Sequence, residues 1–182
     1  ERPTGSHTQA AIARLLAAFC VLLLAAAHVR AEEPPVPSSQ ALAQAFQTPA
    51  GETWVVPANE PFGTRVLKAP DRGAFNLRGF RALTITASRG KTVPAVVRLR
   101  WAVVSRVGGV YVAAAPVAVP PTGAVAAPLT LTPGSTDLRP AGHGRPWDEF
   151  AAAEVLALEL RAECAFGAAP RPDESVELAL AD

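Results

Sequence analysis

Two periodicities divide this chain. From Leu15 to Ala27 the residues are uniformly apolar, led by Arg14 and closed by Val29-Arg30-Ala31 and two glutamates; from Trp54 onward apolar and polar positions alternate with period two. A short apolar run with a basic flank and a small residue at its end predicts a secretory signal peptide over residues 1–31, since a spanning helix needs roughly 20 apolar residues. Cleavage is expected after Ala31, with Ala25-Ala26-Ala27 as a second site, and an amphipathic or anchoring helix as the alternative. Cys20 follows the bulky Phe19 rather than a small residue, which argues against lipid attachment.

Residues 32–50 read as a Pro-rich linker followed by a short helix. Pro34, Pro35 and Pro37 cannot donate to a ladder and bias their predecessors to extended geometry. Ser39 to Gln47 then places Leu42 and Phe46 at i, i+4, with Ser38 or Ser39 as the cap. In residues 51–182, Leu83, Ile85 and Ala87 alternate with Thr84, Thr86 and Ser88, and Val93, Ala95, Val97, Leu99, Trp101 and Val103 share one face opposite Arg98, Arg100 and Arg106. Gly108-Gly109 predicts a two-residue hairpin turn. That register sets Val107 against Val110, Arg106 against Tyr111 and Ala102 against Ala115, so Tyr111, Ala113 and Ala115 fall on the arginine face. Further strands are expected at Leu129-Thr130-Leu131, at Leu156 to Cys164 with Leu158 and Leu160 inward, and at Val176, Leu178 and Leu180. A turn of helix is expected within Trp147 to Glu154. The fold class that follows is all-β, a two-sheet antiparallel β-sandwich behind an N-terminal signal-peptide helix.

Composition changes this picture in three ways. Formal net charge is only +1, yet ten basic residues against Asp71 lie between Phe62 and Arg106, while Asp137 to Asp182 holds ten acids against four arginines. Either the two halves face and neutralise each other, or one surface is basic. After export only Cys164 remains, so no internal disulfide forms and the thiol is expected to be buried and inert. Few lysines and many Ala, Arg and Pro residues fit a GC-rich bacterial genome. The lack of an initiator Met, and an ending within a strand pattern, lead us to expect a longer protein.

The segment Phe75–Ile85, with its Asn76, Arg78-Gly79 and Arg81, resembles the loop that runs into a core strand in carbohydrate-binding jelly rolls and galactose-binding-like domains. Pro94 to Trp101 resembles their next long strand, and Ser175 to Asp182 their closing strand with its acidic end. The likeness spans roughly Trp54 to Asp182 and is one of strand pattern. It implies a non-catalytic carbohydrate-binding module, the accessory part of a larger secreted or surface protein. A departure is aromatic poverty, with three Trp and one Tyr in the whole chain.

Two constellations are candidate sites. The arginine face, Arg98, Arg100 and Arg106 beside Tyr111, offers forked donors and a stacking ring to a flat anionic sugar, or is a solvated sheet face. The loop His143, Arg145, Trp147 and Asp148 offers a second stacking ring with hydrogen-bonding partners. Alternatively Trp147 plugs the sandwich edge and Asp148 caps a helical turn. For an enzyme, His143 near Asp148 and Glu149, with Ser105 or Ser135 as nucleophile, are unlinked, and no nucleophile elbow, zinc helix or phosphate loop is present. No cofactor or catalytic metal is expected; folds of this kind can hold a structural calcium, for which Asp182 and Glu52 are available, but no Asp-rich loop announces one. The expected partner is a polysaccharide or glycan, anionic if the arginines bind it, with a protein partner in the cell envelope as the alternative. Nucleic acid is not expected, and the membrane only in passing through the signal peptide. The expected location is secreted or periplasmic.

Overall fold

The computed structural model describes residues 33–58, 60, 62–70, 73–90, 95–166 and 175–181. The expected signal peptide, Val93 and Asp182 lie outside them. Helix α1 (Ser39–Phe46) is followed by β1 (Trp54–Pro57), β2 (Phe62–Lys68), β3 (Ala82–Arg89), β4 (Ala95–Ser105), β5 (Gly109–Ala113), β6 (Val117–Val119), β7 (Ala124–Thr130) and β8 (Leu138–Pro140). Helix α2 (Glu149–Ala153), β9 (Val155–Phe166) and β10 (Ser175–Ala181) complete the chain. The strands form two antiparallel sheets packed as a sandwich, β1-β10-β3-β7 and β2-β9-β4-β5-β8, with β6 also paired to β4.

The alternation predicted for β3, β4, β9 and β10 is the one observed. Ile85, Ala87, Val97, Leu99, Trp101, Val103, Leu158, Leu160, Val176, Leu178 and Leu180 are all buried between the sheets. Trp101 reaches across the sandwich, donating from Nε1 to the Ala127 carbonyl at 3.0 Å, so its one polar atom is satisfied inside the core. Helix α1 closes one side. Ser38 accepts from the Ala41 N–H at 3.0 Å, Leu42 and Phe46 are fully buried, and the Phe46 ring meets Trp101 edge-on at 4.9 Å. The preceding segment is tethered to the sandwich but largely exposed: the Asn76 N–H donates to the Pro35 carbonyl at 3.0 Å, while Pro35 and Val36 face water. Residues 34–182 thus make one compact unit, into which the expected linker is drawn from Pro34 on.

The β4–β5 hairpin differs from its prediction. Ser105 lies opposite Gly109 and Val103 opposite Tyr111, so the loop is the three residues Arg106 to Gly108, followed by Gly109 at φ 81°. A two-residue turn would have put Tyr111 opposite Arg106 on the outer face. The longer loop reverses the parity and sends Tyr111 inward, where burying a large ring yields more free energy than leaving it in water. Gly108 permits this, since a Cβ there would fall on the Tyr111 hydroxyl. The strand expected to continue to Val119 also breaks at Ala114 to Pro116, and β6 resumes pairing with β4 from Val117↔Leu99 to Val119↔Val97.

Pairing of β4 with β9 brings the basic and acidic halves together. Arg98 is opposite Glu163, the Arg100 and Glu163 side chains approach to 3.1 Å, and Arg106 pairs with Glu154 at 3.1 Å.

Candidate functional site

The outer face of the six-stranded sheet carries the densest polar chemistry. Because residues directly opposite in an antiparallel ladder point the same way, the register lays this face out in rows. One row runs Phe62, Glu163, Arg98; the next runs Thr64, Arg161, Arg100; a third runs Val66, Glu159, Ala102, Val112, Arg139; the last runs Lys68, Ala157, Val104, Val110. The face therefore has a cationic end and an apolar end. At the cationic end Phe62 keeps 48 % of its surface in water; Glu163 is directly opposite it on β9, Arg161 is one row away on the same strand, and Arg98 and Arg100 lie one strand further on β4.

Arg100 and Arg161 are directly opposite, a like-charge pair that is unfavourable unless neutralised. Two glutamates do this. Glu159 accepts from Arg161 at 2.6 Å, and Glu163 sits 3.1 Å from Arg100 Nε, within ion-pair distance but without hydrogen-bond alignment. Arg98 is exposed, and beside it Val96, Arg98, Glu163, Cys164 and Ala165 line a cleft of about 320 Å³. Partial burial pushes the pKa of the Cys164 thiol up to about 11, with Arg89 opposing; the residue is half-buried in the wall of this cleft rather than enclosed in the core as expected.

Other residues proposed from the sequence are placed elsewhere. Arg106 is not part of the arginine face: eight residues along β4 from Arg98, roughly 26 Å away, it binds Glu154 and the Gly73 carbonyl. There it lines a separate cleft of about 450 Å³ with Lys68, Ala69 and Pro70. Tyr111 is fully buried, its ring edge-on to Trp147 at 5.1 Å and its hydroxyl 3.5 Å from the Pro146 carbonyl. Burial first, then the Asp148 charge, raises its pKa, with Arg145 opposing. The alanines Ala102, Ala113 and Ala115, expected together on the arginine face, likewise do not share one surface: Ala102 lies on the outer side by register, though covered by its neighbours, while Ala113 packs against the core.

The loop candidates serve the fold. Trp147 is completely buried and donates to the Leu131 carbonyl at 3.0 Å, so it plugs the sandwich edge. Asp148 is the N-cap of α2, accepting from the Ala151 N–H at 2.9 Å and from Arg145 Nε at 2.9 Å. Burial alone would raise its carboxyl, but the Ala151 N–H and the Arg145 guanidinium outweigh it and hold the pKa below the usual carboxylate range. Arg145 also lies 5.2 Å over the Phe150 ring. His143 is exposed in this loop. Of the serines, Ser105 is buried and donates to the Ala151 carbonyl at 2.9 Å, while Ser135 accepts from the Asp137 N–H at 3.1 Å; both stabilise turns. Glu52 is exposed, and among the described residues no group of three metal-ligating side chains occurs.

Arg161, Glu159, Glu163 and Phe62 were not singled out from the sequence. The first three were implied by the inward placement of Leu158 and Leu160, which turns odd-numbered residues of β9 outward. Phe62 carried no such signal, because its face is set only by pairing with β9. No family model matches this chain, and neither a curated protein nor a solved structure is found to be similar to it.

Proposed function

We propose that this chain is a non-catalytic recognition module of an exported protein, and that it binds an anionic polysaccharide across β2, β9 and β4. The observation that carries this reading is the shared, solvent-facing surface of Phe62, Arg161, Arg100 and Arg98. Strands about 4.8 Å apart set these side chains at a spacing close to the length of one pyranose unit. The Phe62 ring supplies a stacking platform in place of the buried Tyr111 and Trp147. The arginine forks supply paired donors to carboxylate or sulfate, and the ligand's charge completes the compensation that two glutamates give to three arginines. The hydrolase alternative asks His143 and a carboxylate to converge in a cleft; none of the clefts described above has His143 in its lining.

The test is calorimetric titration with polygalacturonate, alginate and sulfated dextran beside neutral xylan. Binding of acidic polymers is expected, weakened by added salt as exposed charge contacts are, and at least tenfold weaker in Phe62→Ala and in Arg98→Ala/Arg161→Ala. Binding indifferent to those substitutions would place the ligand elsewhere. Absence of binding to every polymer would favour a second reading, an envelope protein partner, for which the exposed Val110 beside Val104 and Val112 is the supporting observation.

A further inference from the structure

Among the described residues β2 ends the six-stranded sheet with nothing paired to its outer side, and this edge is unlike those of β1, β7 and β8. Strand β1 has four residues and ends in Pro57, β7 contains Pro128, and β8 has three residues including Pro140. Proline and shortness are the usual protections of an edge against another chain. Strand β2 is seven residues, Phe62-Gly63-Thr64-Arg65-Val66-Leu67-Lys68, without proline, and ends the six-stranded sheet.

The ladder shows which of its backbone groups are spare. Lys68 is opposite Ala157, and one step further the Ala69 N–H donates to the Leu156 carbonyl at 2.8 Å. Hydrogen-bonded and non-bonded pairs alternate in an antiparallel ladder. Leu67, Arg65 and Gly63 therefore bond to β9, whereas Phe62, Thr64, Val66 and Lys68 turn both N–H and C=O outward. All four of these residues are exposed.

We propose that this edge pairs with β2 of a second copy of the chain, antiparallel, about a two-fold axis at Arg65. The sequence is self-complementary in that register. Thr64 falls opposite Val66 of the second copy and Phe62 opposite Lys68, each pair exchanging two backbone hydrogen bonds. Two β-branched residues meet side by side, and the lysine ammonium meets the face of a phenyl ring, both favourable cross-strand contacts. Arg65, on the axis, points to the inner side opposite Arg65 of the second copy, a like-charge pair that weakens the dimer. Its guanidinium is committed to its own molecule, donating to the Gln47 carbonyl at 2.8 Å and lying 5.6 Å from the Trp54 ring. One strand pair is a small interface, so the dimer is a weak and concentration-dependent one. It joins two outer faces into one continuous sheet and shares Phe62 with the proposed polysaccharide surface, so it is measured without polysaccharide present.

Sedimentation velocity over a micromolar-to-millimolar series, in reductant so that Cys164 forms no cross-link, tests this. The mass is expected to rise from monomer toward dimer. Thr64→Pro removes an N–H that only the second copy uses, and Val66→Lys leaves the backbone intact but adds a second edge lysine. Each is expected to weaken the dimer at least tenfold while the far-ultraviolet circular dichroism stays that of the wild type. If Thr64→Pro does not fold, Val66→Lys carries the test. A protein that stays monomeric throughout, or a dimer weakened less than this in the folded variants, would overturn the proposal.

Discussion

Trp101 and Tyr111 show how far a single residue can be read. Trp101 continues the apolar alternation of its strand, and its burial follows from parity alone. The position of Tyr111 depends instead on whether the hairpin loop holds two residues or three, a choice made by how the ring fits beside Trp147 and over Gly108. Trp101→Ala and Tyr111→Ala are therefore both expected to cost about 3–5 kcal/mol in urea denaturation. A near-neutral Tyr111→Ala would mean that the ring is on the surface after all. The same contrast holds at the candidate site, where Arg98 and Arg100 are legible as outward and parity alone groups Arg106 with them. Its distance along the strand already separates it from Arg98, and pairing with Glu154 and the Gly73 carbonyl fixes it at the other end.

Among the elements, helix α2 is short enough to depend on its cap. Asp148 anchors it through the Ala151 N–H and is itself held ionised by Arg145. Asp148→Ala is expected to cost about 1 kcal/mol, measured by thermal or denaturant unfolding. Because the folded-state pKa of Asp148 is lowered, its contribution is fully present above the ordinary carboxylate pKa and is lost as pH falls through the folded value. Asp148→Asn keeps a cap acceptor but not the charge, so its stability should vary less than the wild type's between neutral and acidic pH. An identical acid profile for the two would assign the pH dependence to other carboxylates. The helix was legible because a capping residue precedes an alanine-rich turn. Its second duty, seating Trp147 behind it as a plug, was visible only as one of two readings of the loop.

At the scale of the whole molecule, the segment before the sandwich belongs to its core. Leu42 and Phe46 fill space between the sheets, so the helix and strands should unfold together. Phe46→Ala is expected to lower stability by about 3–5 kcal/mol, with tryptophan fluorescence and circular dichroism moving in a single shared transition. Separate transitions for the two probes would show α1 to be an independent element. The spacing of Leu42 and Phe46 made the helix readable, but nothing local told where its apolar face would find cover.

By itself, the sequence determined what depends on neighbours along the chain: strand alternation, a serine cap at Ser38 or Ser39, the turn of helix after Asp148, and the all-β class. These follow from side-chain parity and backbone hydrogen bonding over a few residues. The tertiary structure alone decided which strands are neighbours, the parity across the β4–β5 turn, and so which of Tyr111, Phe62 and Arg161 meets solvent. A one-residue change in loop length costs little locally but turns a whole strand over. It is the fit of rings and charges between distant strands that selects the outcome.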